Sequence, residues 1–546
     1  MASDIDDATH RPTASDISSR GLFSEHLPPC ITAASFGKFI EAAGSSPSPF
    51  GEEQPSAQMG VHNLPRPGGT VRPLGIPNPI SFHFLAKEVA DSWDEILPQT
   101  RSQFSVAPIA PQAGTRYRAL LKGKDWGTFR DRRAQTLRSS RFILRTDIAR
   151  FYPSVYTHAI PWSLHSRTTA KRRRRDQSLL GNRLDCKLRA CQDDQTLGVP
   201  IGPDTSHLVA ELLLSRVEED AFKENPPIGC RFVDDYIFAA DSLADAENIR
   251  TRLQTSLLQF GLALNEAKTE VLEAPYTTTD QFFGHIRRAA TSQQHPIKPY
   301  DLEAYFDVAF RLAKQVPHRN VLGLAISELR ELPIPDSIQP LLWNLVAHAI
   351  RARPGCLRHA LKLHARGFNE ETDLYSQETG PMEHNQEGSS IERFDLSSIY
   401  SEVLSAHLGE HATLGHGNEA AWTLWASASL GCALSPNALK AAAEMRDPVV
   451  AAMLFHGRRE GRFSVHPDWL RLSSEDQEGR LAGSNWIFHY ETIGSKDPSS
   501  TVGLGSDRHT DAFLALAESN VSFVDFQSAL HPETTSEGHA PEDEPY

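Results

Sequence analysis

The chain has 546 residues, with 55 Lys or Arg against 69 Asp or Glu, and a formal net charge of −14. This length predicts two to four domains with ample buried core. No apolar stretch reaches the about 18 residues that a membrane-spanning helix needs, and the polar N-terminus lacks the apolar region of a signal peptide. We therefore expect no membrane partner.

The six cysteines form no CxxC pattern and no Cys/His cluster. Neither a disulfide framework nor a zinc site is therefore expected, and a reduced, cytoplasmic protein fits best.

The predicted elements begin with residues 1–20, which are polar and expected to be disordered. Residues 44–70 are rich in Gly, Ser and Pro and predict a loop. The turn-rich segment 72–79 leads into a helix predicted at 80–96. An apolar strand at 141–147 then ends in an aspartate, Asp147, and is followed by an aromatic pair and a proline.

The charge is unevenly distributed around that strand. Residues 116–175 contain 17 Lys or Arg and 3 Asp, a local net charge of +14 that leaves −28 for the remainder. A basic window in an acidic chain is typical of phosphate binding. The run 171–175 is its densest part, and for that run alone a solvated loop is an equally good interpretation.

An aspartate pair, Asp234-Asp235, lies within the apolar segment 231–238. Two adjacent carboxylates among strand-forming residues cost too much without a compensating cation, so we expect them at the tip of a β-hairpin. Together with Asp147 they could hold two Mg²⁺ ions, or Mn²⁺, about 3.5–4 Å apart for in-line nucleotidyl transfer. This pattern is typical of a polymerase palm. A second pair, Asp193-Asp194, lies in a polar stretch and predicts only a solvated loop.

The intervening segments complete an α+β pattern. A Gly/Pro loop at 198–206 leads into a helix, and residues 243–260 have helical periodicity. Residues 261–270 are expected to start a strand, and 281–286 predict another short strand or hairpin. The order strand, helix, hairpin, helix, strand suits a palm.

Beyond residue 297 the sequence becomes mainly helical. Helices are predicted at 302–316, 318–331, 335–352, 395–408, 418–431 and 436–457. Residues 366–392 predict a polar linker, and 532–546 an acidic disordered tail. A stacked, HEAT-like array and a plain helical bundle both remain open, because no clean repeat period occurs.

Five of these segments occur in the order of the palm motifs of reverse transcriptases. They are Asp147 with Phe151-Tyr152, Pro200-Ile201-Gly202, Phe232-Val233-Asp234-Asp235, residues 262–268, and Phe283-Gly284. Residues 70–290 thus resemble that family, and the segments 150–154 and 198–206 resemble its bacterial defence-associated, abortive-infection class. The resemblance implies an RNA-directed DNA polymerase that acts in antiviral defence.

The resemblance also implies an architecture. Right-hand polymerase fingers would occupy residues 21–145 and the palm 146–290. A mainly α-helical C-terminal region would occupy 297–530; its first part would be thumb-like, and a HEAT-like array or a plain helical bundle would follow.

It further implies roles for single residues. Asp147 and Asp234 would ligate the metals, with Asp235 supporting one metal or the primer end, and Lys268 would protonate pyrophosphate as a general acid. Tyr152 would be the steric gate that excludes a 2′-hydroxyl. The remaining nucleotide-binding positions are Phe151, Pro200, Ile201, Gly202 and Arg72, and the nucleic-acid-binding positions are Lys122, Lys124, Lys171, Arg172, Arg173, Arg174 and Arg175. The expected substrates are an RNA or DNA template-primer and deoxynucleoside triphosphates; an associated non-coding RNA and a homo-oligomer are further candidate partners.

Two positions depart from the family pattern. Phe232 replaces the usual Tyr, which removes one hydroxyl group. Ile201 replaces the usual Gln near the template base and cannot form hydrogen bonds, which leaves template-independent synthesis as an alternative.

Other readings stay open. Protein-primed synthesis would use a tyrosine outside the palm, such as Tyr375, Tyr400 or Tyr546. An intron- or retron-type enzyme is disfavoured by the long helical C-terminal region. A catalytically silent nucleic-acid-binding scaffold is disfavoured because all three aspartates are present.

Overall fold

The structure is a computed structural model that describes residues 10–44, 50–112, 118–120, 126–276, 281–291, 297–366, 396–470, 481–493 and 508–528. Several sequence predictions lie outside the described residues: Lys122, Lys124, Tyr375 and Tyr546, residues 367–392 of the linker, and the acidic tail.

The first part of the chain forms helices and one hairpin. These elements are α1 (Ala14–Arg20), α2 (Ala34–Ala43), β1 (Gly60–Pro65), β2 (Val71–Ile76), α3 (Pro79–Asp91), α4 (Trp93–Ile96), a 3₁₀ turn (Leu97–Thr100) and α5 (Trp126–Arg138).

Two predictions for this part were wrong. Residues 10–20 are not disordered, because Thr13 and Asp16 form a capping box for α1 and Ile17 is fully buried. The loop predicted at 44–70 contains β1, which pairs antiparallel with β2. The pairing partner lies across a Gly-rich turn, so the Gly and Pro content of the segment concealed the strand. The helix predicted at 80–96 is confirmed, with a break at Ser92.

The central part of the chain forms a four-stranded antiparallel sheet with flanking helices. Its elements are β3 (Phe142–Asp147), α6 (Phe151–Ser154), α7 (Ala159–His165), α8 (Arg167–Arg172), α9 (Leu180–Ala190), α10 (Asp204–Phe222), β4 (Gly229–Phe232), β5 (Asp235–Ala240), α11 (Leu243–Gln259), a 3₁₀ turn (Glu266–Lys268), β6 (Glu270–Glu273) and α12 (Gln281–Thr291). The strand order is β4-β5-β3-β6. This sheet with its helices confirms the predicted α+β palm.

The strand predicted at 281–286 was wrong, because these residues begin α12. Phe282, Ile286 and Ala290 are buried at a spacing of four residues, which is the helical period. The adjacent Phe282-Phe283 pair imitated a short strand and obscured that period.

The C-terminal part is helical in the residues described. Its elements are α13 (Pro299–Gln315), α14 (Val321–Glu328), 3₁₀ turns (Leu329–Glu331 and Asp336–Ile338), α15 (Gln339–Ala352), α16 (Cys356–Arg366), α17 (Leu396–Thr413), α18 (Gly417–Leu430), α19 (Pro436–Glu444), α20 (Pro448–Arg459), a 3₁₀ turn (Pro467–Leu470), α21 (Trp486–Thr492) and α22 (Arg508–Glu518). The single helix predicted at 436–457 is two helices, α19 and α20, because Asp447 caps a new helix that starts with Pro448.

The C-terminal part packs against the first part of the chain. The indole N–H of Trp486 donates to the carbonyl of Ile76 at 3.0 Å, and the Asn78 amide donates to the carbonyl of Leu481 at 2.7 Å. Phe523 packs edge-on against Phe23 at a centroid distance of 6.1 Å. The hydrophobic core is therefore continuous from the N-terminal helices through the palm to α22. Among the described residues, no helix is both long and apolar enough to cross a membrane.

Candidate active site

The antiparallel pairing of β3 with β5 sets two aspartates opposite each other. Asp147 ends β3, and its cross-strand partner is Asp235, the first residue of β5. Asp234 lies in the tight turn between β4 and β5, as the sequence predicted. The turn is sharp enough to force Val233 to a φ of 56°, a conformation that a β-branched residue rarely adopts and that is most common at functional sites.

The electrostatics of these carboxylates show a deficit of positive charge. Burial, followed by the repulsion from Asp147, raises the pKa of Asp234 to about 6. Burial and the neighbouring Asp234 raise the pKa of Asp235 to about 8. Asp147 is 5 % exposed, and its Oδ1 atom contacts no hydrogen-bond donor among the described residues. An uncompensated buried carboxylate oxygen of this kind suits a bound divalent cation.

Lys268 makes a cationic contact within the cluster. Its Nζ lies 2.5 Å from Asp147 Oδ2, although half of the lysine side chain is exposed. The 3₁₀ turn that carries Lys268 is fixed by the backbone N–H of Asn265, which donates to the carbonyl of Asp147 at 2.8 Å. Lys268 therefore lies beside the aspartates while its stem reaches solvent, as a proton donor to a bound substrate requires.

Tyr152 follows the Asp147 strand through an abrupt reversal. Arg150 takes a left-handed conformation with φ 46°, after which Phe151 turns into the core and is buried. Tyr152 stays half-buried. Burial raises the pKa of the Tyr152 hydroxyl, and the charge of Asp234 raises it further. The ring therefore lies close to the carboxylates, while Phe151 is a core residue.

The Gly/Pro loop packs against Tyr152 on one side and the β1–β2 hairpin on the other. The N–H of Val199 donates to the carbonyl of Tyr152 at 3.0 Å, and the N–H of Gly75 donates to the carbonyl of Ile201 at 2.9 Å. A side chain at Gly75 would collide with Pro200, since an added Cβ atom would lie 2.5 Å from the Pro200 Cβ. The loop, Tyr152 and β2 are thereby brought together, although they are far apart in the sequence.

Two arginines face this junction. Arg72, in β2, opposes the rise in the pKa of both Asp234 and Tyr152 and so lies near both. Arg118 has the same effect on Tyr152, pairs with Asp204 at 2.5 Å and donates to the carbonyl of Gly202. The sequence reading singled out Arg72 but missed Arg118, because its place in the basic window did not distinguish it from sixteen other cations there.

A buried ion network behind the hairpin was also missed. Arg231, in β4, is fully buried; its Nη1 lies 2.7 Å from Glu211 and its Nε 2.5 Å from Glu218, both acids on α10. Its Nη1 also donates to the carbonyl of Val233 at 2.8 Å. Arg231 therefore holds the strained turn that presents Asp234. The two acids lie 13 and 20 residues upstream, a separation that carries no sequence signal.

The other acid pair and the basic run are at the surface. Asp193 and Asp194 are exposed in a turn after α9, which confirms the prediction of a solvated loop. Lys171, Arg172, Arg173, Arg174 and Arg175 are exposed at the end of α8 and in the following turn. Arg173 is paired with Asp176 at 2.6 Å. The role of this run in binding nucleic acid stays a prediction.

Residues 64–320 match the family described as reverse transcriptase (RNA-dependent DNA polymerase). The match contains β3, the Asp234-Asp235 turn and Lys268, and it extends to α13. No curated protein matches the chain. Residues 64–320 are thus similar to reverse transcriptases, and the match indicates a nucleotidyltransferase, an RNA-directed DNA polymerase. Such a domain acts on a nucleic-acid template-primer and deoxynucleoside triphosphates, and generally uses divalent metal ions.

Proposed function

We propose that this reverse transcriptase extends a primer by a two-metal mechanism in which Asp147 and Asp234 bind two Mg²⁺ ions and Asp235 supports one of them. The observation that carries this proposal is the register of β3 with β5, which sets Asp147 opposite Asp235 beside the Asp234 turn. The buried, unpartnered Oδ1 of Asp147 supports it. When bound, the ions would activate the primer hydroxyl and neutralise the leaving pyrophosphate.

The other side chains would orient the substrate and move protons. The half-exposed side chain of Lys268 brings its ammonium group to Asp147, from which it would donate a proton to pyrophosphate. Arg72 and Arg118 would bind the triphosphate, since guanidinium groups form paired hydrogen bonds with phosphate oxygens. Both lie near Tyr152, and Arg72 also lies near Asp234, where charge must be neutralised.

Selection of the sugar would depend on Tyr152. Its side chain is half-buried next to Asp234, and its backbone carbonyl accepts a hydrogen bond from Val199 in the loop at 198–202. A ring in this position would exclude a 2′-hydroxyl by contact. Ile201, in the same loop, offers only apolar side-chain contact, so the template base would be held by stacking and shape at this point.

We further infer a role in antiviral defence, which rests on the resemblance of segments 150–154 and 198–206 to the defence-associated class. The helical region after the polymerase supports this inference. A host that carries the wild-type chain should resist phage infection, and a host that carries Asp234→Ala should not.

The decisive experiment for the polymerase is primer extension with the Asp234→Ala variant. We expect complete loss of deoxynucleotide incorporation, because a metal ligand is removed, with no loss of thermal stability. Asp193→Ala is the matched control, since it removes an aspartate from an acid pair that is exposed and outside the site. Incorporation at wild-type rate by Asp234→Ala would overturn the assignment of the site.

The same assay separates the alternatives. Incorporation that persists without added template would favour template-independent synthesis, as Ile201 suggests. DNA attached covalently to the protein would favour protein priming. Tyr400 is a poor primer candidate, because its ring is buried at 5.8 Å from Trp343 and 5.9 Å from His364. A wild-type chain that binds RNA but makes no DNA would favour the silent scaffold.

A further inference from the structure

A second group of ligand-type side chains lies in the helical C-terminal part. His407 and His411 are one helical turn apart in α17, and Glu419 lies in the first turn of α18. One ligand atom from each of the three lies within 4.8 Å of the other two. His416, in the connection between the helices, brings its Nδ1 to 2.8 Å from the Nδ1 of His411.

The group is buried, so its polar side chains cost free energy unless each of them has a binding partner. His407, His411 and Glu419 are each at most 6 % exposed. The Nε2 of His407 lies 3.1 Å from Glu419 Oε2, but the Nδ1 of His407 is buried without a hydrogen-bond partner among the described residues. The rings of His407 and His411 approach to a centroid distance of 4.1 Å. Internal hydrogen bonds therefore leave part of this polar cluster unsatisfied.

The ligand chemistry favours a transition metal over magnesium. Imidazole nitrogens suit zinc, whereas magnesium requires oxygen ligands. Three imidazoles and one carboxylate would give four protein ligands, the number found in structural zinc sites. Bonds of about 2.0–2.1 Å place tetrahedral ligand atoms about 3.3 Å apart, which is close to the 3.1 Å between His407 and Glu419 and the 2.8 Å between His411 and His416.

The surroundings of Glu419 support the same reading. Its second oxygen, Oε1, accepts a hydrogen bond of 3.0 Å from the backbone N–H of Gly355, at the start of α16. Metal-bound carboxylates are commonly oriented by such an outer hydrogen bond. The carboxylate is thus held with one oxygen turned to the histidines.

We propose that His407, His411, His416 and Glu419 bind a structural zinc ion that fixes α17 against α18. The site lies next to the contact between the helical C-terminal part and the β1–β2 hairpin. The carbonyl of Gly415, next to His416, accepts a hydrogen bond of 3.3 Å from the Asn63 amide of β1. The ion would therefore hold the connection that contacts β1. No zinc site was expected, because the cysteines form no CxxC pattern and no Cys/His cluster. The ligands proposed here are three histidines and one glutamate, so that expectation does not apply to them.

The first test is the metal content of the full-length protein purified without chelator. We expect about one zinc per chain by plasma mass spectrometry, in the wild type and equally in Asp234→Ala, in which the catalytic aspartates cannot form their full site. Removal of zinc should lower the thermal unfolding temperature, and added zinc should restore it. Protein without zinc whose unfolding temperature does not respond to added zinc would overturn the proposal.

A ligand exchange identifies the residues. In cobalt-substituted protein, His411→Cys should show a thiolate-to-cobalt charge-transfer band, because the new sulfur would bind the metal directly. His456→Cys is the matched control: His456 is also a buried histidine bonded to a glutamate, Glu491 at 3.3 Å, but it lies outside the cluster. A band of equal strength in both variants, or in neither, would contradict the assignment. If His411→Cys does not fold, the zinc content and the cobalt spectrum of the wild type still decide the question.

Discussion

The two faces of the β4–β5 hairpin carry acidic groups in opposite states. On one face Glu211 and Glu218 surround Arg231, which is fully buried and contacts both acids. On the other face Asp147 pairs with the partly exposed Lys268, while Arg72 and Arg145 offset the charges of Asp234 and Asp235 only in part. The first set is an internally neutralised structural network, whereas the second is incomplete without added cations. Sequence alone would count both as acid clusters, and only the placement of Arg231 separates them.

The charge states follow this division. Although burial alone would lower the pKa of Arg231, Glu211 and Glu218 raise it well above its usual value, so the guanidinium stays charged. Burial and neighbouring acids raise the pKa values of Asp234 and Asp235 instead, because no cation offsets them fully. Two acid clusters near one turn thus differ in whether a buried cation neutralises them.

We expect the largest effect on stability from removal of the buried Arg231 charge. Arg231→Met would leave Glu211 and Glu218 buried without a counter-charge, which typically costs about 3–5 kcal/mol. We expect this loss in the free energy of unfolding, measured by urea denaturation. Arg145→Met is the control, because its pair with Glu270 at 3.2 Å is exposed and should contribute at most about 1 kcal/mol. Equal losses in the two variants would contradict the distinction between the faces.

On the face that carries the three aspartates, Lys268→Ala should reduce the rate of nucleotide incorporation about 100-fold, as expected for removal of a general acid. Stability should change little, since the lysine is half-exposed. Lys268→Arg sharpens the test, because arginine keeps the charge next to Asp147 but does not release its proton. A fully active Lys268→Arg variant would show that only the charge matters.

Substitution of Tyr152 tests whether its ring selects deoxynucleotides over ribonucleotides. Tyr152→Ala should raise the efficiency of ribonucleotide relative to deoxynucleotide incorporation by at least about tenfold, since discrimination by shape in a pocket is of this order. Tyr152→Phe should retain the selection, because the ring remains. An unchanged ratio in the alanine variant with normal folding would reduce Tyr152 to a packing residue.

A further effect concerns pH in the absence of metal. The pKa of Asp235 is about 8 in the folded chain and lower when unfolded, so its ionisation opposes folding as pH rises from about 4 to about 8. The unfolding temperature of metal-free protein should therefore fall across this window. Excess Mg²⁺ should reverse most of the fall at pH 8. In the Asp235→Asn variant the fall in the unfolding temperature should be smaller. A fall as large as in the wild type would show that other groups cause it.

The local parts of the site could be predicted from sequence, and the long-range parts could not. Asp234-Asp235 in an apolar strand is a local conflict between charge and burial, and it predicted a hairpin tip that the structure confirms. The helix at 281–291 was missed because two adjacent phenylalanines satisfy the strand and the helix pattern alike. Arg231 was read only as the start of an apolar strand, since its partners come from another element.

The same limit applies to the helical part. Proline and an N-capping aspartate at 447–448 were readable and would have divided the helix predicted at 436–457. The spacing of His407, His411 and His416 was also readable, but it gains meaning only when α18 brings Glu419 to them. The spacing of residues within one helix can be predicted from the sequence. The approach of side chains from two different helices becomes visible only in the fold.

The hydrogen bond from Trp486 to the carbonyl of Ile76 has a consequence for dissection of the chain. Ile76 ends the strand that carries Arg72, and its covering residue comes from a segment 410 positions later. A fragment cut to the catalytic segment would expose this edge together with the apolar surface that Phe523 covers on Phe23. The polymerase is thus recognisable in sequence as a separate unit, but it is physically assembled from both ends of the polypeptide, and deletions in the distant helices should impair synthesis without touching a catalytic group.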